Sequence, residues 1–183
     1  MALARQHNLT VIEDNAQCFL GTIGGRIAGT IGHMGSFSFE NSKHMTTGDG
    51  GIVITDDEAL AVRIRKFHGL GYSTIEATDG RVRLRIDDFQ NPRFLRHDAF
   101  GWNYRLPEVA AAVGLAQLAR LDQYVAKRQA IARLYLEAIE GCEYLIPQAQ
   151  PDGFVNSYFT FAMVYEGEAA IGVPWADFRH KYI

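Results

Sequence analysis

Several things are scarce in this sequence, and each scarcity excludes something. There are two cysteines, Cys18 and Cys142, so no disulfide framework can be built. None of the six histidines clusters with them at zinc spacing. Both cysteines read as free thiols of a reducing compartment. No apolar run approaches the roughly 20 residues that a membrane-spanning helix needs. A net charge of −3 creates no general attraction to nucleic acid or anionic lipid. The opening "MALARQHNLTVIEDNAQ" lacks the basic and apolar regions of a secretory signal, so a cytoplasmic location is expected. What is present is globular: 48% hydrophobic and 21% charged residues over 183 positions, enough for one domain or one plus part of a second.

The pattern along the chain is α/β. A helix tail, a turn at His7-Asn8 and a strand Leu9–Ile12 open it, which is mid-domain grammar, so the chain is expected to begin inside a larger fold. Gly24-Gly25 suggests a small hairpin. Strands are expected at Ser36–Phe39 and Gly51–Thr55. Thr55 and Glu58 have the spacing of a capping box for a helix whose apolar face is Leu60, Ile64 and Phe67 and which stops at Gly69. Residues 71–96 read as irregular, with Arg81, Arg83 and Arg85 alternating as on a solvated edge strand, or as one strand face lined toward a diphosphate. From Pro107 a long helix carries Val109, Val113, Leu118, Leu121 and Val125, bends near Asp122-Gln123 and ends at Gly141. The turn-rich "QAQPDG" marks a boundary: residues 1–147 form one unit and 148–183 begin another, with a strand over Tyr158–Tyr165. The last residues look like the start of an amphipathic helix that is cut.

Three positions could carry chemistry. Lys43 follows a strand and enters a glycine-rich turn, where an amine can be shielded and made nucleophilic toward a carbonyl. An ordinary surface lysine fits the same local pattern. Ser38 lies five residues earlier, and a fold-back between them would let hydroxyl and amine face one small ligand. The following Thr46-Thr47-Gly48 could offer hydroxyls and backbone N–H groups to an anion, or simply form a hairpin turn. Asp14 ends a strand at the edge where open α/β sheets bind ligands, or it caps a helix. The glycines follow the lysine, which excludes a P-loop. A strand-end acid, a strand-end serine and a lysine are together the set that holds pyridoxal 5'-phosphate. At about 3 Å and an effective dielectric near 20, an acid facing the protonated ring nitrogen contributes roughly 5 kcal/mol before desolvation.

The blocks "VIEDNAQ", "FSFENSKHMTTGDGG" and "GWNYRLPEVAAAVGLAQLARLD" resemble the DegT/DnrJ-type sugar aminotransferases, in that family's order and spacing across essentially the whole chain. The resemblance implies a fold-type I architecture: part of a large mixed-sheet domain, then the start of a small C-terminal α/β domain. It implies that Lys43 is the Schiff-base lysine and that Asp14 faces the pyridine nitrogen. Gln17 would lie near the phenolic oxygen, and Ser38 would bind phosphate. Asn103 would reach the phosphate of a neighbouring subunit, hence a homodimer. Glutamate or glutamine would be the amino donor and a nucleotide-linked keto sugar or keto-cyclitol the acceptor. Some relatives carry histidine in place of the lysine and act as dehydratases; Lys43 argues against that here. Family members are typically about twice this length. The alternative is therefore an inert fragment, or a protein that binds the cofactor without turnover.

Weaker candidates are His68, which could touch substrate but reads as a structural helix-end histidine, and Trp102 and Tyr104, which read as packing a subunit interface rather than binding sugar; Gln117, Arg120 and Lys127 read as an exposed helix face.

Overall fold

The computed structural model describes residues 1–78 and 84–182. In chain order the elements are α1 (Ala2–Gln6), β1 (Ile12–Asp14), β2 (Thr22–Ile23), β3 (Arg26–Ile27), β4 (Met34–Ser38), β5 (Gly51–Ile54), α2 (Glu58–His68) and α3 (Ile86–Gln90). They continue with α4 (Glu108–Leu118), α5 (Leu121–Ala138), β6 (Leu145–Pro147), β7 (Phe154–Val155), β8 (Met163–Tyr165), α6 (Gly167–Ile171) and α7 (Trp175–Tyr182).

The sheet that matters for function is mixed. β4 lies between β1, parallel to it, and β5, antiparallel. A second sheet has the order β3-β2-β7, and β6 pairs with β8. The hairpin expected at Gly24-Gly25 is there. Both glycines have positive φ, 58° and 77°, as a tight turn matching strand twist requires.

β1 starts three residues later than the sequence pattern suggests. Asn8 takes φ 51°, and the N–H of Val11 is taken by His33 Nδ1 at 2.9 Å. Val11 therefore meets the sheet only through its carbonyl, which accepts the N–H groups of His33 (2.9 Å) and Met34 (3.4 Å), and Leu9 stays exposed. The cap of α2 is also different. Asp57, not Thr55, accepts from the Leu60 N–H at 3.0 Å. The Thr55 hydroxyl instead donates to the carbonyl of His33.

The span read as irregular contains α3, at whose start the Asp88 carboxylate accepts the Arg85 N–H. Arg81 and Arg83 lie outside the described residues. The long helix breaks at Ala119-Arg120 rather than at Asp122-Gln123 and finishes at Ala138, before Gly141. Only Met163–Tyr165 of the expected strand Tyr158–Tyr165 is extended and paired. Upstream, Tyr158 takes φ 50°, which no strand tolerates.

The core is a cluster of Phe19, Phe39, Met45, Leu121 and Val125, with Leu20 and Phe37 against it. Phe19 lies 5.1 Å from Phe37 and 6.3 Å from Phe39, ring centre to ring centre. α5 is thus fastened to the strand that leads into the lysine turn. The stripe expected to bury α4 does not do so: Val109, Val113 and Leu118 are exposed. α4 instead buries Gly114, where a Cβ would meet Thr47 at 3.0 Å. A residue without a side chain lets that helix close on the turn.

Candidate functional site

Alternation and register place the strand-end residues. Ile12, Glu13 and Asp14 pair with Met34, Gly35 and Ser36. Side chains alternate along a strand, so Asp14, Ser36 and Ser38 share one face of the sheet, while Glu13, Gly35 and Phe37 share the other. Asp14 and Ser38 are the last residues of neighbouring parallel strands. They stand at the carboxyl edge where α/β sheets receive ligands.

Asp14 is exposed, and its Oδ1 accepts the Ala16 N–H at 3.1 Å. Turns rather than a helix follow it, so it caps no helix. Ser38 Oγ accepts the Glu40 N–H at 3.2 Å. In that bond the hydroxyl is the acceptor, so its proton is left for a ligand. Gln17 is exposed, three residues beyond Asp14. Asn103 is exposed on a separate segment, bridged to Gly69 at the end of α2, with Oδ1 accepting from Arg105 Nε. Trp102 stacks on Tyr104 beside it.

Beyond Ser38 the chain turns back. The Lys43 N–H donates to the Glu40 carbonyl at 3.1 Å, and Thr47 N–H to the Phe39 carbonyl at 3.0 Å. Gly48 and Gly50 supply positive φ of 89° and 113°. The carboxyl of Glu40 is held below its ordinary value by the Ser42 hydroxyl, then by the Ser42 N–H and, more weakly, the Lys43 charge.

The threonines do not form the anion cradle that their spacing suggested. Thr46 N–H goes to Gln117 Oε1 at 3.0 Å, and the Thr46 hydroxyl to the Phe39 carbonyl. Gly48 N–H goes to the Thr46 hydroxyl. These donors are spent on fixing the turn itself. Gln117, expected on a solvated helix face, is the side chain by which α4 grips it.

Lys43 is half-buried, and the next two residues, His44 and Met45, are buried. The amine lies over the ring of Phe159, 4.6 Å from its centre. His44 Nε2 is 3.0 Å from the Ser157 carbonyl. Burial lowers the basicity of His44; the Ser157 carbonyl opposes this, and Arg128 and Lys43 add to it. Nothing in the local pattern points to His44, Phe159 or Arg128, because the partners that place them lie at least 30 residues away. His68 ends α2, where its carbonyl accepts the Tyr104 N–H at 2.8 Å.

The DegT/DnrJ/EryC1/StrS aminotransferase family matches residues 1–172. The chain belongs to that family. It is 36% identical over 137 residues to GDP-perosamine synthase of Escherichia coli O157:H7, covering 75% of this chain and 33% of that protein. It is 37% identical over 137 residues to a putative L-glutamine:3-amino-2,3-dideoxy-scyllo-inosose aminotransferase of Micromonospora echinospora, covering 75% and 29%. Among solved structures, the aminotransferase from Psychrobacter cryohalolentis superposes with a TM-score of 0.78 at 34% identity, over 96% of this chain and 44% of that one. The chain therefore spans about a third of the curated relatives that it matches. The expected fold-type I α/β architecture is the one these family members share. No helix among the described residues is long and apolar enough to cross a membrane.

Proposed function

We propose that this chain is the cofactor-bearing part of a pyridoxal-phosphate-dependent aminotransferase that moves an amino group from glutamate or glutamine to a nucleotide-linked keto sugar or keto-cyclitol. One observation carries the reading. In a member of this family, Asp14 and Ser38 share a face at the ends of adjacent parallel strands, and Lys43 follows in a turn fixed by Gln117 and buried Met45. The residues fit the cofactor: Asp14 offers a free carboxylate oxygen for the pyridinium, Ser38 an undonated hydroxyl proton for the phosphate and Lys43 a half-buried amine for the aldehyde.

When bound, pyridoxal phosphate supplies an electron sink for a carbanion at the substrate carbon. Asp14 would keep a proton on the ring nitrogen. Ser38 would donate its hydroxyl proton to the phosphate, and Gln17 would serve the phenolic oxygen. Lys43 would hold the cofactor covalently, and its free amine would move a proton at the reacting carbon. Asn103 would reach the phosphate of a second subunit in a homodimer. Residues 1–147 belong to the large domain and 148–183 begin the small one, with the β6–β8 pairing running across that division. The enzyme works in the cytoplasm.

The test is to add pyridoxal phosphate, reduce with borohydride and map the labelled peptide. Label is expected on Lys43, absent in Lys43→Ala and lost when glutamate is added before reduction. Label spread evenly over Lys66, Lys127 and Lys181 would overturn the reading.

A further inference from the structure

The amine of Lys43 rests on a strap contributed by a distant part of the chain. Asn156–Phe159 leaves β7, which is itself paired to β2. Four contacts hold it from two sides. From α5, Arg128 Nη1 donates to the carbonyls of Tyr158 (3.3 Å) and Phe159 (2.9 Å), and Gln129 Nε2 donates to that of Asn156 (3.0 Å). From the lysine turn, His44 Nε2 meets the Ser157 carbonyl. A carbonyl can only accept, so Nε2 carries the proton, and Nδ1 of the neutral ring is a bare, buried lone pair without a partner among the described residues. The His44 ring sits between Phe19 (5.7 Å) and Phe159 (6.2 Å). Tyr158 takes φ 50°, a conformation that a bulky residue adopts only when its surroundings impose it. Its N–H is caught by Asn156 Oδ1 at 2.7 Å.

Successive residues of one turn thus engage the same strap: His44 locks to its backbone, and Lys43 lies over its aromatic ring. We propose that the strap Asn156–Phe159, keyed to the turn by His44, positions the Lys43 amine, with Phe159 as the platform that receives the ammonium group whenever it is free. His44 and Phe159 are positioning residues for the lysine. The inference deepens the aminotransferase reading and rests on it for its functional meaning. A lysine that alternates between covalent attachment and proton transfer needs one resting place, and the negative face of an aromatic ring supplies one without competing as a nucleophile.

The proposal is tested on the full chain without cofactor by trace acetylation, with each lysine quantified by peptide mapping and Lys127, which is exposed, as the internal reference. Phe159→Leu removes the ring face, and His44→Ala releases the strap. Each is expected to raise Lys43 labelling relative to Lys127 by about two- to fivefold. Phe159→Tyr keeps the ring, and His44→Gln keeps an N–H donor at the place of Nε2; both are expected to restore the wild-type ratio. Lys66, bound to Asp98 at 2.6 Å, reports on the fold and should not change. An unchanged Lys43 ratio in both disruptive variants, or a rise at Lys66 equal to that at Lys43, overturns the proposal. The borohydride map of the wild type fails or succeeds independently, so the two readings are separable.

Discussion

Glu13 is next to the candidate acid Asp14 but works on the other face of the sheet. Its Oε2 accepts the Gly29 N–H at 2.7 Å, and its Oε1 accepts the N–H groups of Ile31 (2.7 Å) and Gly32. One carboxylate thereby holds the 29–32 loop against β1, while in the neighbouring β4 the absence of a side chain at Gly35 lets the backbone of Gly29 lie directly on that strand. In Glu13→Gln one oxygen remains. If it keeps Ile31 and Gly32, the new amide group points its own donors at the Gly29 N–H. One charge-assisted bond is lost, about 1.5–3 kcal/mol when fully shielded. Partial exposure of the side chain reduces this to about 1–2 kcal/mol, or about 3–6 °C in melting temperature for a chain of this size.

The pH dependence makes the test specific. Partial burial pushes the Glu13 carboxyl up, but the bonds from Gly32, Gly29 and Ile31, with the Arg26 charge, together hold it below its ordinary 4.5. A depressed acid stabilises fully above the unfolded value and loses that contribution as pH falls through the folded one. Urea midpoints of wild type and Glu13→Gln should therefore differ most above pH 4.5 and converge in acid. An offset that stays constant from neutral pH into the acid limb would refute the assignment.

Two further outcomes follow from the same geometry. Met45, 3% exposed in the core cluster, should cost about 2–5 kcal/mol when cut to alanine, read as a shift of the urea midpoint; a loss below about 1 kcal/mol would mean that the turn is not anchored there. His44 is held neutral in the fold by burial, reinforced by Arg128 and Lys43 against the pull of the Ser157 carbonyl. Its contribution is complete above the ordinary 6.5 and is lost as pH falls from there through the lowered folded value, so the wild-type midpoint should drop between pH 7.5 and 5.5 by more than that of His44→Gln. Equal drops would refute it.

Local pattern was a good guide wherever one residue type had one physical use. The Gly24-Gly25 hairpin follows from the positive φ that glycine tolerates, β4 from the alternation of Phe37 and Phe39, and β5 from the β-branched run Ile52-Val53-Ile54. It misled where a distant group intervened. Leu9–Val11 has strand composition, yet His33 takes the N–H that a ladder would need. Thr46 has the look of an anion cradle, yet Gln117, 71 residues on, takes its N–H. The stripe on α4 has helical period, but that helix closes on the turn through Gly114, leaving Val109 and Val113 exposed.

The order of the candidate acid, serine and lysine along the chain, and the family to which it belongs, are legible in the residues themselves, because the blocks around Asp14, Ser38 and Lys43 are contiguous stretches of sequence. That Asp14 and Ser38 share a face was decided by β1–β4 register, which only pairing can set. That Lys43 rests on Phe159 was decided by α5 and by His44, since a contact across more than a hundred residues has no trace in local periodicity.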